Sequence, residues 1–238
     1  MLILGIDTAT TAASAALVAD GKLVRETRHE AQRNGGPLRS NHAAVLLPLI
    51  DRLLNESGRG LRDIEAFAVA LGPGSFTGLR IGLSTVKGLV YGTDTPLVGI
   101  PTLHAVAARV DDFDGFICPF LDARKKEVYA ALFYRRGERL ERVSEDVVAA
   151  PQTVIDSVRK RLGSEPCLFI GDAVVPYDNL VKTELGPSVL LTIGEGYASI
   201  ATAAARLADA RVRRGEFDAA GPMAPIYLRP SEAELKKS

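Results

Sequence analysis

Asp7, Thr8, Thr10 and Thr11 crowd a turn directly after the apolar run Leu2 to Ile6. A carboxylate set among hydroxyls is suited to orienting a metal-bound phosphate, and Asp and Thr are equally ordinary turn residues. The second chemical candidate is the string Gly72-Pro73-Gly74-Ser75-Phe76-Thr77-Gly78-Leu79-Arg80-Ile81-Gly82, between a strand and a helix. Glycine admits positive φ, and successive amides at a helix start can cradle an anion. The competing reading is a tight strand-to-helix turn whose glycines serve packing. No Gly-Lys-Ser/Thr follows, so this is not a Walker A loop. Asp7, Thr8, Thr10, Gly72, Gly74 and Ser75 are the candidate nucleotide or anion contacts. No second catalytic carboxylate stands out beside them.

Metal and redox chemistry have little to work with. His29, His42 and His104 form no i,i+4 pair, and no Cys-x-x-Cys exists. A zinc site is not expected, and His104 reads as a structural histidine. Cys118 and Cys167 sit in apolar strings, which predicts buried thiols in a reducing compartment. The 29 Lys plus Arg balance 29 Asp plus Glu, so the bulk positive charge that drives nucleic-acid binding is absent. Apolar residues are 47% and charged ones 24% of 238, which excludes a disordered chain. The amino terminus lacks a basic n-region, and no run approaches a membrane span. A cytoplasmic protein with no membrane contact is expected.

The elements that must hold these residues repeat. Strands are predicted at Leu2–Ile6, Ala13–Val18 and from Lys22 to Thr27, with a turn at Asp20-Gly21. A helix from about Ser40 to Glu56, a strand at 66–71, a helix of about Gly78–Tyr91 and a strand at 96–100 follow, and another helix starts near Thr102. The order then recurs: strands at 116–121, 127–134 and 139–148, a helix from Pro151 to Leu162, a strand at 168–171, and helices near 177–184 and 198–214. Asp7 precedes Gly21 by 14 positions and Asp122 precedes Gly137 by 15. Two similar lobes are expected. The first covers 1–100, joined by 215–230, and the second covers 101–214. The tail Glu232–Ser238 reads as a solvated terminus. Two β-β-β-α-β-α units, each opened by an Asp-bearing hairpin, are the layout of the actin, sugar-kinase and Hsp70 superfamily, in which a nucleotide lies between the lobes.

Two helices carry an anomaly. The one starting near Ser40 is apolar almost all round through Leu54, where a one-sided helix would show a polar face; Pro48 removes a donor within it. The helix after the glycine loop pairs Gly78 with Gly82 and Gly88 with Gly92 against an apolar face of Leu79, Leu83, Val86 and Val90. Glycines four apart leave a bare face that another backbone can approach. Both helices therefore ask for a second neighbour, either another protein or the second lobe. His42, Val45, Leu46, Leu49, Ile50, Leu53, Gly78, Gly82, Leu83, Val86 and Val90 are the candidate partner-binding residues. On this reading Leu46→Asp or Leu83→Asp weakens pairing while the lobes stay folded.

The strings Ile3-Leu4-Gly5-Ile6-Asp7-Thr8-Ala9-Thr10, Gly72 to Gly82, Asp122-Ala123-Arg124 with Glu127-Val128-Tyr129, and Pro225-Ile226-Tyr227-Leu228-Arg229 closely resemble the bacterial TsaB (YeaZ) family, in order along nearly the whole chain. The resemblance implies an α/β, two-lobed actin-like ATPase (ASKHA) fold, each lobe a mixed sheet with β-β-β-α-β-α order. It implies a non-catalytic scaffold for making threonylcarbamoyladenosine at position 37 of tRNA. Such a scaffold pairs with the catalytic TsaD subunit through the two helices, packed as a four-helix bundle, and helps recruit the ATPase TsaE. TsaD binds a metal through His-x-x-x-His. The comparable stretch here, Gly99 to Val106, holds only His104, which removes the metal site.

The resemblance also implies only indirect contact with tRNA, and an exposed apolar helix pair, which rarely stays bare, makes a homodimer of the isolated chain an expectation. This chain requires no cofactor of its own, and ATP or ADP is compatible with a composite interface site. The competing classes are an independent actin-fold phosphotransferase using Asp7, and a metallopeptidase, which the missing His pair opposes.

Overall fold

The computed structural model describes residues 1–30 and 41–229. The run Leu2-Ile3-Leu4-Gly5-Ile6-Asp7 has no polar alternation, and as β1 (Leu2–Asp7) all six residues are buried. That is the pattern of a central strand covered on both faces. β1 is antiparallel to β2 (Ala13–Ala19) and parallel to β4 (Ala66–Gly72). β3 (Lys22–His29) and β5 (Leu97–Pro101) complete a sheet ordered β3-β2-β1-β4-β5. β3 exposes Lys22 and Arg25 at the sheet edge, where charge discourages pairing with another chain. α1 (His42–Glu56) follows β3, and α2 (Phe76–Val90) makes the crossover that parallel β4 and β5 require.

Alternation along β1 sorts the covering layers. Leu2, Leu4 and Ile6 join a core with Leu46, Leu49, Leu53, Leu83 and Val86 from α1 and α2. Gly5 points the other way, toward α6 (Ile200–Val212), where a β-carbon would sit 2.1 Å from the Ala201 carbonyl oxygen. α6 can come so close because its sheet-facing side is alanine, with Ala201, Ala204, Ala205 and Ala208 all fully buried. Glu26 of β3 anchors its start, its Oε2 accepting from the Ser199 amide (2.8 Å) and the Thr202 hydroxyl (2.6 Å). Burial opposes the charge on Glu26, yet these donors hold its carboxyl below the usual range.

The remaining strands repeat this plan. β6 (Gly115–Arg124) is antiparallel to β7 (Glu127–Ala130) and β8 (Phe133–Arg136), and parallel to β11 (Cys167–Ile170). With β9 (Arg139–Arg142), β10 (Val147–Ala149) and β12 (Val189–Thr192) the sheet has seven strands, its main path ordered β10-β7-β6-β11-β12. α4 (Pro151–Leu162) and α5 (Val174–Leu185) pack on it around Phe120, Val154, Ile155, Val158 and Phe169. Cys118 and Cys167 are buried free thiols in this core, and burial pushes both thiols up. A short helix, α3 (Thr102–Ala108), follows β5.

Several sequence expectations need correction. The strand expected over 127–134 breaks into β7 and β8, because the Leu132 amide turns to Ser144 Oγ (2.8 Å) and its carbonyl takes the amides of Val143 (2.7 Å) and Ser144 (3.1 Å). The strand expected over 139–148 is likewise two, and β12 was not expected. The domain boundary also moves. One compact unit is Met1–Ala105 with Ala198–Tyr227, and the other is Val106–Tyr197 with Leu228 and Arg229. Helix 198–214, expected in the second lobe, packs on the first sheet because Gly5 and the alanines admit it there. Position 230 and the tail Glu232–Ser238 lie outside the described residues, as does Ser40. Among the described residues no helix is long and apolar enough to cross a membrane.

The close contact at Gly5 makes a prediction. Gly5→Ala forces α6 away from β1 and should destabilise the first unit by about 1–3 kcal/mol, read as a lower denaturation midpoint. An unchanged midpoint would remove the proposed reason for glycine at this position.

Candidate partner interface

The turn after β1 and the loop after β4 meet. Asp7 is buried and its Oδ1 accepts the Ala9 amide (2.9 Å), closing the turn on itself. Thr8 Oγ1 donates to the Gly78 carbonyl (2.8 Å). The Ser75 amide donates to the Ala9 carbonyl (2.7 Å), and Ser75 Oγ accepts the Gly78 amide (3.2 Å) as the N-cap of α2. A β-carbon on Gly74 would lie 2.3 Å from the Ala9 carbonyl oxygen, and one on Gly72 (φ +117°) 2.4 Å from that of Ile226. Thr10 offers its carbonyl to His42 Nε2 (3.1 Å).

Asp7, Thr8, Thr10, Gly72, Gly74 and Ser75 are thus brought together in the first unit, as a nucleotide or anion site would need. The named polar groups there are already partnered within the chain, and the glycines serve close backbone packing. Among the described residues, no three His, Cys, Asp or Glu side chains group to hold a metal ion.

The glycine notch of α2 has a neighbour from the same chain. A β-carbon on Gly78 would lie 2.0 Å from the Thr8 carbonyl oxygen, and one on Gly82 2.3 Å from Thr8 Oγ1. The C-terminal segment covers another flank. Tyr227 stacks on Phe76 with ring centroids 4.6 Å apart, and Arg80 lies 4.0 Å above Phe76 while Nε donates to the Tyr227 hydroxyl (3.0 Å). Lys87 donates to the Gly221 carbonyl (2.9 Å), and the Ile226 amide to the Leu71 carbonyl (2.7 Å). Sequence reasoning joined 215–230 to the first lobe but not to the flank of α2, because these contacts are single residues without periodicity.

The candidate interface residues must therefore be re-sorted. His42, Leu46, Leu49, Ile50, Leu53, Gly78, Gly82, Leu83, Val86 and Val90 are buried in the first unit, and Val45 is partly buried against the same core. Leu46 is 1% and Leu83 5% exposed, so an aspartate at either position would break the fold rather than a contact with another protein. The outward faces are different residues. On α1 they are Ala43, Ala44, Leu47 and Pro48, followed by Asp51, Arg52 and Asn55. Leu47 is 54% exposed. On α2 they include Thr77, Ser84 and Gly88, and a β-carbon on Gly88 would touch nothing. The amide that Pro48 lacks would have served the carbonyl of exposed Ala44, where solvent can replace it.

His42 links α1 to the first turn. Burial, the main cause, holds its imidazole below the ordinary histidine range; nearby His29 adds to this and the Thr10 carbonyl opposes it. A base with a depressed folded pKa is stabilising while neutral. That contribution is complete above the unfolded value and is lost as pH falls below it, at no more than about 1.4 kcal/mol per pH unit. Between about pH 7.5 and about pH 5.5 the denaturation midpoint should fall more steeply for the natural chain than for His42→Gln. Equal slopes would show that His42 does not titrate on unfolding.

Comparison with known proteins places this geometry. A family model described as "TsaD: tRNA N6-adenosine threonylcarbamoyltransferase" matches residues 27–212. The chain is 30% identical to the tRNA threonylcarbamoyladenosine biosynthesis protein TsaB of Bacillus subtilis (strain 168), covering 99% of this chain and 97% of that protein. It is 31% identical to the protein of the same name from Escherichia coli (strain K12), covering 99% and 98%. The solved structure of YeaZ from Pseudomonas aeruginosa matches 95% of this chain and 99% of its own at TM-score 0.74 and 25% identity. A ROK hexokinase from Thermus thermophilus, at TM-score 0.51 and 13% identity over 90% of this chain and 100% of its own, shares the actin-like fold alone. Likeness to full-length relatives from end to end, on a repeated mixed sheet of that fold, makes this chain a member of the TsaB family.

Proposed function

We propose that this chain is an accessory subunit for threonylcarbamoylation of tRNA adenosine 37. In this reading it transfers nothing itself and pairs with a TsaD-like catalytic subunit, and the pair recruits a TsaE-like ATPase. The observation that carries the proposal is the end-to-end likeness to TsaB biosynthesis proteins, with 97–98% of those relatives covered. The partnered state of Asp7, Thr8 and Ser75 supports a scaffold rather than an independent phosphotransferase. ATP or ADP, if used near this chain, belongs to a composite site formed with the partner. The deciding experiment reconstitutes tRNA modification from TsaD-like, TsaE-like and synthase components with and without this chain. Product should require the chain. Full product without it, or steady ATP turnover by the chain alone, would overturn the reading.

The pairing surface proposed here is the outward side of α1 and α2. Apolar exposure on α1 is confined to its first two turns, whereas Asp51, Arg52, Asn55 and Glu56 make the exposed end polar. Beside it, Thr77, Ser84 and Gly88 give α2 a low relief that a partner helix can approach closely. The same face would serve self-pairing of the isolated chain.

Leu47→Asp and Gly88→Leu should each weaken the heterodimer at least about tenfold. Gly88→Leu should not lower the denaturation midpoint, since leucine favours helix over glycine, and Leu47→Asp, at an exposed position with Asp51 one turn on, should lower it only slightly. Sedimentation gives the affinity, and circular dichroism the midpoint. Undiminished pairing by both variants would move the interface elsewhere.

A further inference from the structure

A concavity lies wholly in the unit that contains α4. It is a cavity of about 310 Å3 between α4, β10 and the break that separates β7 from β8. Its floor is core: Cys118, Ala130, Leu132, Val154 and Val158. The space exists because small side chains stand where large ones would fill it, at Ala130 and Ala131 on the strand break and Ala149 on β10. Close packing is the norm for protein cores. An open apolar hollow of this size falls at the lower end of ligand sites, about 300–1,000 Å3.

The mouth is polar and carries one charge of each sign. Arg161 comes from α4 and Glu145 from the segment between β9 and β10. Arg161 uses one nitrogen, Nη1, for the Ser157 carbonyl (3.0 Å) and hydroxyl (2.8 Å). Among the described residues neither Arg161 nor Glu145 makes an ion pair, with each other or with any third group. Other arginines of this unit do: Arg124 with Asp122, Arg142 with Asp146, Arg159 with Asp156, and Arg229 with Glu127. The lining therefore includes an exposed guanidinium and an exposed carboxylate, neither in an ion pair, beside an apolar floor.

We propose that this cavity binds a free amino acid with a large apolar side chain. The side chain occupies the hollow lined by Ala130, Leu132, Val154 and Val158. The α-carboxylate meets Arg161, whose fork suits a carboxylate, and the α-ammonium meets Glu145. A simple apolar acid would satisfy only the arginine, and an apolar amine only the glutamate. The buried Cys118 thiol, pushed up by burial, contributes apolar surface and no reactivity.

The test is calorimetric titration of the isolated chain with L-phenylalanine and L-leucine. L-alanine, N-acetyl-phenylalanine and phenylalanine methyl ester serve as controls. Saturable binding is expected for phenylalanine or leucine, and at least about tenfold weaker binding for alanine and for both blocked forms. Arg161→Gln and Glu145→Gln, both at exposed positions, should each cost about tenfold or more. Ala130→Leu should abolish binding by filling the floor. Should that core variant unfold, the two rim variants still decide the matter. No saturable binding at millimolar phenylalanine or leucine overturns the proposal. So does binding that both rim variants leave unchanged, or binding in which the blocked forms match the free amino acid. Because the chain is titrated alone, the outcome is independent of its role in tRNA modification.

Discussion

Thr8 and the first turns of α2 occupy nearly the same space, and the first unit is organised around that approach. With β-carbons, Gly78 and Gly82 would intrude to 2.0 and 2.3 Å on Thr8. Without them, the turn after β1 sinks into the helix, and Thr8 Oγ1 closes the contact on the Gly78 carbonyl. This fixes the start of α2 against the end of β1. Ser75 then caps the helix while its amide reaches back to Ala9, and His42 brings α1 to the same turn through Thr10. Interior glycines cost helix stability, roughly 0.5–1 kcal/mol each; the tertiary contact offsets that cost.

That arrangement determines what the surface can offer. Once the notch is filled by Thr8 and a flank by Tyr227 and its neighbours, α2 has only its outward side left. The apolar residues of α1 divide similarly: Leu46, Leu49, Ile50 and Leu53 belong to the core, and Ala43, Ala44, Leu47 and Pro48 remain outside. A partner helix packing here would meet alanine, leucine, serine and glycine, a low relief that allows close approach. The buried residues act on such an interface only by holding the helices that present it.

The two sheets solve the same problem twice with different side chains. Each has a central strand antiparallel to the hairpin that follows it and parallel to a later strand. In the first unit the hairpin strands stay whole. In the second, Leu132 leaves the ladder for Ser144, splitting one strand into β7 and β8. The break leaves a gap beside α4 that alanines do not fill, so a local defect in the repeat becomes an apolar hollow in that unit.

The sequence by itself determined the repeat, the strand and helix identities of the first unit, and the family, because these depend on periodicity and on ordered motifs. It also marked α1 and α2 as abnormal, since all-round apolarity and paired glycines are visible without coordinates. Only the tertiary structure decided which neighbours answer those features. A glycine records that something lies close, but not whether that is Thr8 or another protein. A leucine at a helical position does not reveal whether its face turns inward, as at Leu46, or outward, as at Leu47. The destination of α6 was hidden for the same reason. Its alanines fit either lobe in composition, and the deciding partners, Gly5 and Glu26, lie more than 170 positions earlier in the chain, a separation that only the folded backbone closes.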